Sequence, residues 1–472
     1  MQTSKLINTI KLIPKNQLND FSEFLNSPFF NKSEKTIQLF QHIQNYAPEY
    51  ASTKLNKEFV FSVIFLKEEY NENKLALLMN HLLEQVENYI VYKTFSEDQE
   101  QRFFYLLKAY NEGNLEKNYN STLRQYKKHL DESGQYKSEI QKSLFELSLL
   151  ELEHNARKNI REFDNSLQIV SDDLDRYFVS QKLRLGCEML SRKKIIQSGY
   201  EINLLEEVIE YINNSDFKAH PEIEVYGLIA KMLSDEDNEL NYTCCKQRLI
   251  KEKKSFSKNE LRSMVFYAFN YCIRKFNKGK IEYVKELFEW NKFLITENLL
   301  LVDGELSPWR FKNITIIGLK SKEYDWTAKF IDDMESYVSL SHREAVSTYC
   351  KAYLSYSIKD YDKAMDLLRE VLTDDIFMEI DYRVLLIKIY YEKNELEALY
   401  NLLDSFRVYL GRNKVLSDYH KKVKLNWIKI VKKLMRILPG ETKKLEELKT
   451  SIKETKEIDS KDWLFEMIDA KK

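Results

Sequence analysis

Apolar residues recur along this chain at helical spacing, and the clearest stretch runs from Thr348 to Gly411. Tyr349, Tyr353 and Tyr356 fall at i, i+4 and i+7, which puts them on one face of an α-helix. Thr348, Ala352 and Ser355 form a neighbouring stripe of small side chains that suits the close approach of another helix. Lys359-Asp360 closes this helix. Tyr361 opens a second one, in which Ala364, Leu367, Leu368 and Val371 repeat at the same period.

The pair of helices recurs. Ile389, Tyr391, Leu396, Leu402, Leu403 and Phe406 stand 35 residues after Leu354, Tyr356, Tyr361, Leu367, Leu368 and Val371. Ile317, Leu319, Tyr324, Phe330, Ile331 and Met334 precede those same positions by 37 residues. A fainter copy lies at Cys272, Ile281, Leu287 and Phe288, where the Gly304-to-Pro308 loop supplies extra residues. A repeat of this length, with two helices per unit, predicts a stacked helical array.

The segment Lys359 to Ala364, KDYDKA, resembles the inter-helix turn of a tetratricopeptide repeat. Tyr324, Tyr361 and Leu396 stand where that family has its inter-helix tyrosine. Ala364 matches the small residue that follows, whereas Thr327 and Leu399 do not. Leu368 and Leu403 match the large apolar residue of the second helix. The unit-ending proline is replaced by Ser339, Ile376 and Gly411. The resemblance covers roughly a third of the chain. It implies an all-α, right-handed superhelical solenoid of antiparallel helix pairs, with the first helix of each pair lining a concave groove.

Read in order, the chain divides into an N-terminal helical cap-like unit (1–95), long helical hairpins (96–257), the tetratricopeptide-like repeats (258–411) and C-terminal capping helices (412–472). In the first segment Leu6 to Ile13 reads as a helix stopped by Pro14. Leu18, Phe21, Phe24 and Leu25 share a face of a second helix. Ser27-Pro28 ends that one, because the residue before proline avoids helical geometry. Phe29-Phe30 reads as a buried elbow. Asn31 or Ser33, then Asn56, then Asn71 are expected to cap the following helices. A short helix before a longer one also fits a helix-turn-helix. The segment balances ten lysines against ten acids, however, which suits a cap better than a DNA reader. At the other end Trp427, Ile430, Leu434 and Ile437 form a buried stripe. Trp463, Phe465 and Ile468 suggest a helix that docks on the last repeat.

Composition supports the helical reading. Ten glycines and six prolines in 472 residues leave too few turn formers for a sheet protein. The net charge is -1, but it is unevenly spread. Lys246 to Lys285 carries twelve Lys/Arg against three Glu, and Arg412 to Glu457 fourteen against six acids. Gly199 to Cys245 carries eleven acids against two lysines. Such segments usually pair or solvate one another. The alternative is a nucleic-acid-associated protein that uses 246–285 or 412–457. The five cysteines (187, 244, 245, 272 and 350) show no chelating or disulfide framework, as in a reducing compartment. No stretch approaches a membrane span, and the first residues lack the continuous apolar core of a signal peptide. A cytoplasmic location is expected.

Candidate chemistry is sparse. Glu151 and His154 have the Glu-x-x-His spacing of bundle di-metal sites. No second such pair exists, so an outer-face pair is the simpler account, with no metal and no cofactor. Phosphate-cradling glycine motifs and a nucleophile elbow are missing. The seven histidines lie far apart, and no catalytic residue is assigned. The best constellation is the tyrosine stripe. By analogy Tyr349, Tyr353 and Tyr356 would face the groove, with Lys312, Ile316 and Leu319 one repeat back and Val384, Lys388 and Tyr391 one repeat on. Phe269, Ile273 and Phe276 lie further back. Aromatic rings beside lysines suit a protein or peptide partner. The small-residue stripe is the better candidate for helix packing, which leaves the tyrosines another surface. The competing account is a groove filled by the chain's own helices.

Overall fold

The computed structural model describes residues 1–472 apart from 134–137, 158–164, 195–198, 215–216, 218–219, 371–374 and 456. Every regular element among the described residues is helical; the sole extended pairing is a single bridge between Val302 and Glu305. Two compact units form. The first holds Met1–Met189 and Ser198–Gly227, the second Leu190–Gln197 and Leu228–Lys472. No helix among the described residues is long and apolar enough to cross a membrane.

The helices of the first unit are α1 (Lys5–Ile10), α2 (Leu18–Asn26), α3 (Glu34–Gln44), α4 (Lys57–Ile64), α5 (Glu72–Glu97), α6 (Gln99–Glu112), α7 (Glu116–Ser133), α8 (Ser138–Ala156), α9 (Ser166–Lys193), α10 (Leu205–Asn214) and α11 (Pro221–Ser234), of which α9 and α11 run across its edge. Ser33, Asn56 and Asn71 cap α3, α4 and α5, each side chain accepting a backbone N–H of the first turn. One core gathers Leu6, Phe21, Phe40, Phe61, Leu82 and Val86 from α1 to α5. A second gathers Leu107, Tyr119, Tyr126 and Leu147 from α6 to α8. Two expectations are corrected. The first helix ends at Ile10 rather than Ile13, and Leu12 is exposed. Phe29 is 87% exposed, and only Phe30 turns inward, stacking 4.1 Å from Phe24. Gly113 caps α6.

The second unit continues with α12 (Glu239–Lys251), α13 (Lys258–Asn277), α14 (Tyr283–Thr296), α15 (Pro308–Lys320), α16 (Tyr324–Met334), α17 (Leu340–Ser357), α18 (Tyr361–Glu370), α19 (Ile376–Glu392), α20 (Leu396–Arg412), α21 (Asp418–Arg436), α22 (Thr442–Glu454) and α23 (Lys461–Asp469). Sequence neighbours pack as pairs, and α17 also lies against both α15 and α19. One turn recurs between paired helices. Gly279, Lys322, Lys359 and Asn394 all adopt a left-handed backbone. In each case the next residue's N–H bonds back to the carbonyl five residues earlier: Lys280 to Lys275, Glu323 to Gly318, Asp360 to Ser355 and Glu395 to Tyr390. This closes the orphan carbonyls of the first helix. The last three turn residues keep the 37- and 35-residue spacings of the apolar pattern.

The departures from the repeat pattern have a packing account. Gly318 approaches α16 so closely that a Cβ there would lie 2.3 Å from Thr327 Oγ1. The missing side chain on α15 makes room for the threonine on α16. One repeat on, the same two positions are Ser355 and Ala364, both buried.

Candidate functional site

The helices α15, α17, α19 and α21 carry the residues singled out from sequence. Tyr349, Tyr353 and Tyr356 stack successively along α17, with ring centroids 6.2 and 5.8 Å apart. They are not open. Tyr349 and Tyr356 are buried, Tyr353 is half-buried, and the small residues Ala352 and Ser355 beside them are buried too. Both stripes of α17 are therefore used in packing. Burial pushes the hydroxyl pKa values of all three tyrosines up, so these groups stay protonated donors.

The cover is the chain's own C-terminal segment. Glu457 is held by Lys422 and, through its carbonyl, by Asn426 on α21. Asp459 pairs with Lys424 on α21, and Asp462 with Lys320 at the end of α15, at 2.5 Å. Trp463 donates its indole N–H to Glu392 on α19 at 2.8 Å, and its ring lies 5.3 Å from that of Tyr391. Ser460, in the middle, has a left-handed backbone (φ 44°) without being glycine. Behind this strap, Leu464 and Ile468 are fully buried in a core with Trp427, Leu445 and Ile452.

Glu392 is the polar centre of the site. Its carboxylate accepts from Tyr356, Tyr361, Lys359 and Trp463. Burial works against its charge, yet the hydrogen bonds from Lys359, Tyr356, Trp463 and Tyr361 hold its pKa below the ordinary value. Lys388, one turn earlier on α19, is in the opposite situation. It is 7% exposed, and its ammonium makes no hydrogen bond or ion pair among the described residues. The Trp463 ring stands 5.7 Å away. Its pKa is lowered to about 8, chiefly by burial, with Lys320 and Lys424 adding to the shift and Asp459 and Asp462 opposing it.

The remaining expected residues divide. Tyr391 is half-buried at the same site, and burial raises its pKa to about 12. Phe276 lies under Lys320, 5.0 Å from its ammonium, and so borders the strap. Lys312 is buried in an ion pair with Asp381. Phe269 is buried beneath the Arg310 guanidinium, 4.3 Å away, and apart from the strap. Lys320, Glu392, Lys424, Asp459 and Asp462 were not singled out by the sequence. One signal was available: Glu392 follows Lys388 at i+4 on the face that carries Tyr391.

Elsewhere, His154 stacks on Tyr119 at 3.9 Å and contacts Asn111 and Glu116, while Glu151 pairs with Lys127. Among the described residues no group of three or more His, Cys, Asp or Glu could hold a metal ion. Several lysines and arginines of the basic segments pair with carboxylates of the same chain. Arg274 and Lys278 reach Glu236, Lys275 and Lys280 reach Glu239, Lys246 reaches Glu286 and Lys432 reaches Asp404. Compared with protein-family models, curated proteins and solved structures, this chain matches none.

Proposed function

We propose that this protein is a non-catalytic scaffold of tetratricopeptide-like helix pairs, wound antiparallel into a right-handed superhelix, that holds a segment of a partner protein against α15, α17, α19 and α21. One observation carries the reading: those helices already hold the loop before α23 and its first turn side chain by side chain, through Lys320, Lys388, Glu392 and Lys424. Recognition of a segment needs aromatic area with hydroxyl donors and a few directed charges. The face supplies Tyr353, Tyr356 and Tyr391 for the first, and the lysines and Glu392 for the second. The test is co-purification of the full-length protein with nuclease treatment, comparing wild type with a Tyr353→Ala, Tyr391→Ala double variant of wild-type helicity. Loss of a stoichiometric, nuclease-resistant partner in the variant is expected; an unchanged set of partners would end the proposal.

A further inference from the structure

The strap does two jobs. Ile458, Trp463, Leu464, Met467 and Ile468 cover apolar surface of one core, as any capping helix must. Residues 457–463 do something a cap does not require. They cover a cationic floor built from three different helices: Lys320 on α15, Lys388 on α19 and Lys424 on α21. Among the described residues, two of these lysines are neutralised only by the strap's own Asp462 and Asp459. The third is more than nine-tenths buried, unpaired, and faces the strap's tryptophan. Apolar residues would close this end at lower cost, since an unpaired buried ammonium is unfavourable. The floor is thus built for an anionic segment with an aromatic ring. The left-handed Ser460 shows that the strap does not follow its preferred backbone path across it.

Resting on the scaffold reading, we propose that this floor is the specificity site for a partner segment bearing two carboxylates three residues apart with an aromatic residue directly after the second, and that Asp459, Asp462 and Trp463 are the chain's own competitor for it. The partner's carboxylates take Lys424 and Lys320, its ring takes the place of Trp463 over Lys388, and the strap is displaced. Because the strap is tethered, it acts at an effective concentration on the order of millimolar. A partner therefore binds the closed chain more weakly than a chain whose strap has been disabled.

The experiment is fluorescence anisotropy with a labelled peptide of residues 457–463, blocked at both ends. It omits Leu464, Met467 and Ile468, and keeps Ile458 and Trp463 of the same core. The full-length wild type is compared with a full-length Asp462→Asn, Trp463→Ala chain. The disabled chain is expected to bind the peptide at least ~10-fold more tightly than wild type. Asp459→Asn and Asp462→Asn in the peptide, Lys388→Met in the chain, or added salt should each weaken that binding. If the disabled chain loses its circular-dichroism signal, a chain with a protease site inserted after Thr455 is used instead. The cut chain should then exchange its tail for the peptide.

Three results would overturn the proposal. The folded, disabled chain ignores the peptide; it binds the Asn-substituted peptide equally well; or it binds only a longer peptide of residues 457–469, which marks an apolar cap. Dimerisation of the disabled chain without peptide binding makes the occupant a second copy and also overturns it. Failure here while the Tyr353, Tyr391 variant still loses its cellular partner removes the acidic-aromatic specificity alone. Failure of both removes the scaffold reading as well.

Discussion

Trp463 and Glu392, 71 residues apart, are joined by a hydrogen bond of 2.8 Å from the indole N–H to a buried carboxylate. That contact joins the C-terminal segment to α19, beside its ion pairs to α15 and α21. The same carboxylate serves Tyr356, Tyr361 and Lys359, and so also holds the α17–α18 turn against α19. Replacing Glu392 by Ala leaves four donors without their acceptor. A loss of roughly 3–5 kcal/mol is expected, since breaking a buried charged network strands its partners. Trp463→Phe removes one donor and keeps most of the ring, and should cost about 1–2 kcal/mol. Urea denaturation followed by tryptophan fluorescence and by circular dichroism separates the two effects. Equal losses would mean that Glu392 is not a shared hub.

Lys388 is a stability cost. Its folded pKa of about 8 lies below its ordinary 10.5. Below pH 8 both folded and unfolded chains hold the proton, and the full penalty applies. Between pH 8 and 10.5 the folded chain releases it first, so this contribution to stability improves as pH rises. Lys388→Met should therefore stabilise the protein at pH 7 by roughly 2–3 kcal/mol. The advantage should shrink by pH 9.5. Asp459, Asp462, Lys320 and Lys424 border the ammonium, and the same comparison in an Asp459→Asn background should show a larger gain. Denaturation midpoints at the two pH values decide the matter; a gain independent of pH would reflect side-chain packing and not the buried charge.

Gly318 marks the closest approach of α15 to α16. Gly318→Ala should destabilise by about 1–3 kcal/mol, because overpacking forces a shift in a filled interior. Thr327→Ala in the same chain should recover most of that loss, since it makes the pair resemble Ser355 and Ala364 of the next repeat. A double-mutant cycle in urea measures the coupling. Additive losses would show that the two side chains do not meet.

Lys322 holds a left-handed backbone at the α15–α16 turn, with φ 62°. Glycine adopts this conformation without a Cβ penalty, as Gly279 does at the equivalent turn. Lys322→Gly should raise stability by about 1 kcal/mol. Lys359→Gly should not, because that lysine also pairs with Glu392. Thermal melts of the two variants in parallel test the contrast, and a gain in both would mean that the ion pair contributes nothing.

Much of the candidate site was legible in pieces. The period of Tyr349, Tyr353 and Tyr356 put them on one face, and the 35-residue spacing placed Lys388 and Tyr391 on the next helix. What the period could not say is which side of α17 is covered. Tyrosine satisfies an apolar interior with its ring and a polar rim with its hydroxyl, so the same stripe suits an open groove or a closed one. The small stripe of Ala352 and Ser355 pointed to close packing on one side. It did not exclude packing on the other.

The chain's sequence alone determined the helices, their pairing across short turns and the recurrence of one turn geometry at Lys322, Lys359 and Asn394. These are local matters, settled by apolar period, capping groups and a bond that reaches five residues back. Only the tertiary structure decided that the face carrying these tyrosines and lysines is covered. Lys320 meets Asp462 across 142 residues, and Lys388 lies buried because Trp463 arrives from the far end of the chain. No local pattern encodes that meeting. It depends on where three helices carry their lysines, and on whether a tail of matching charge can reach them.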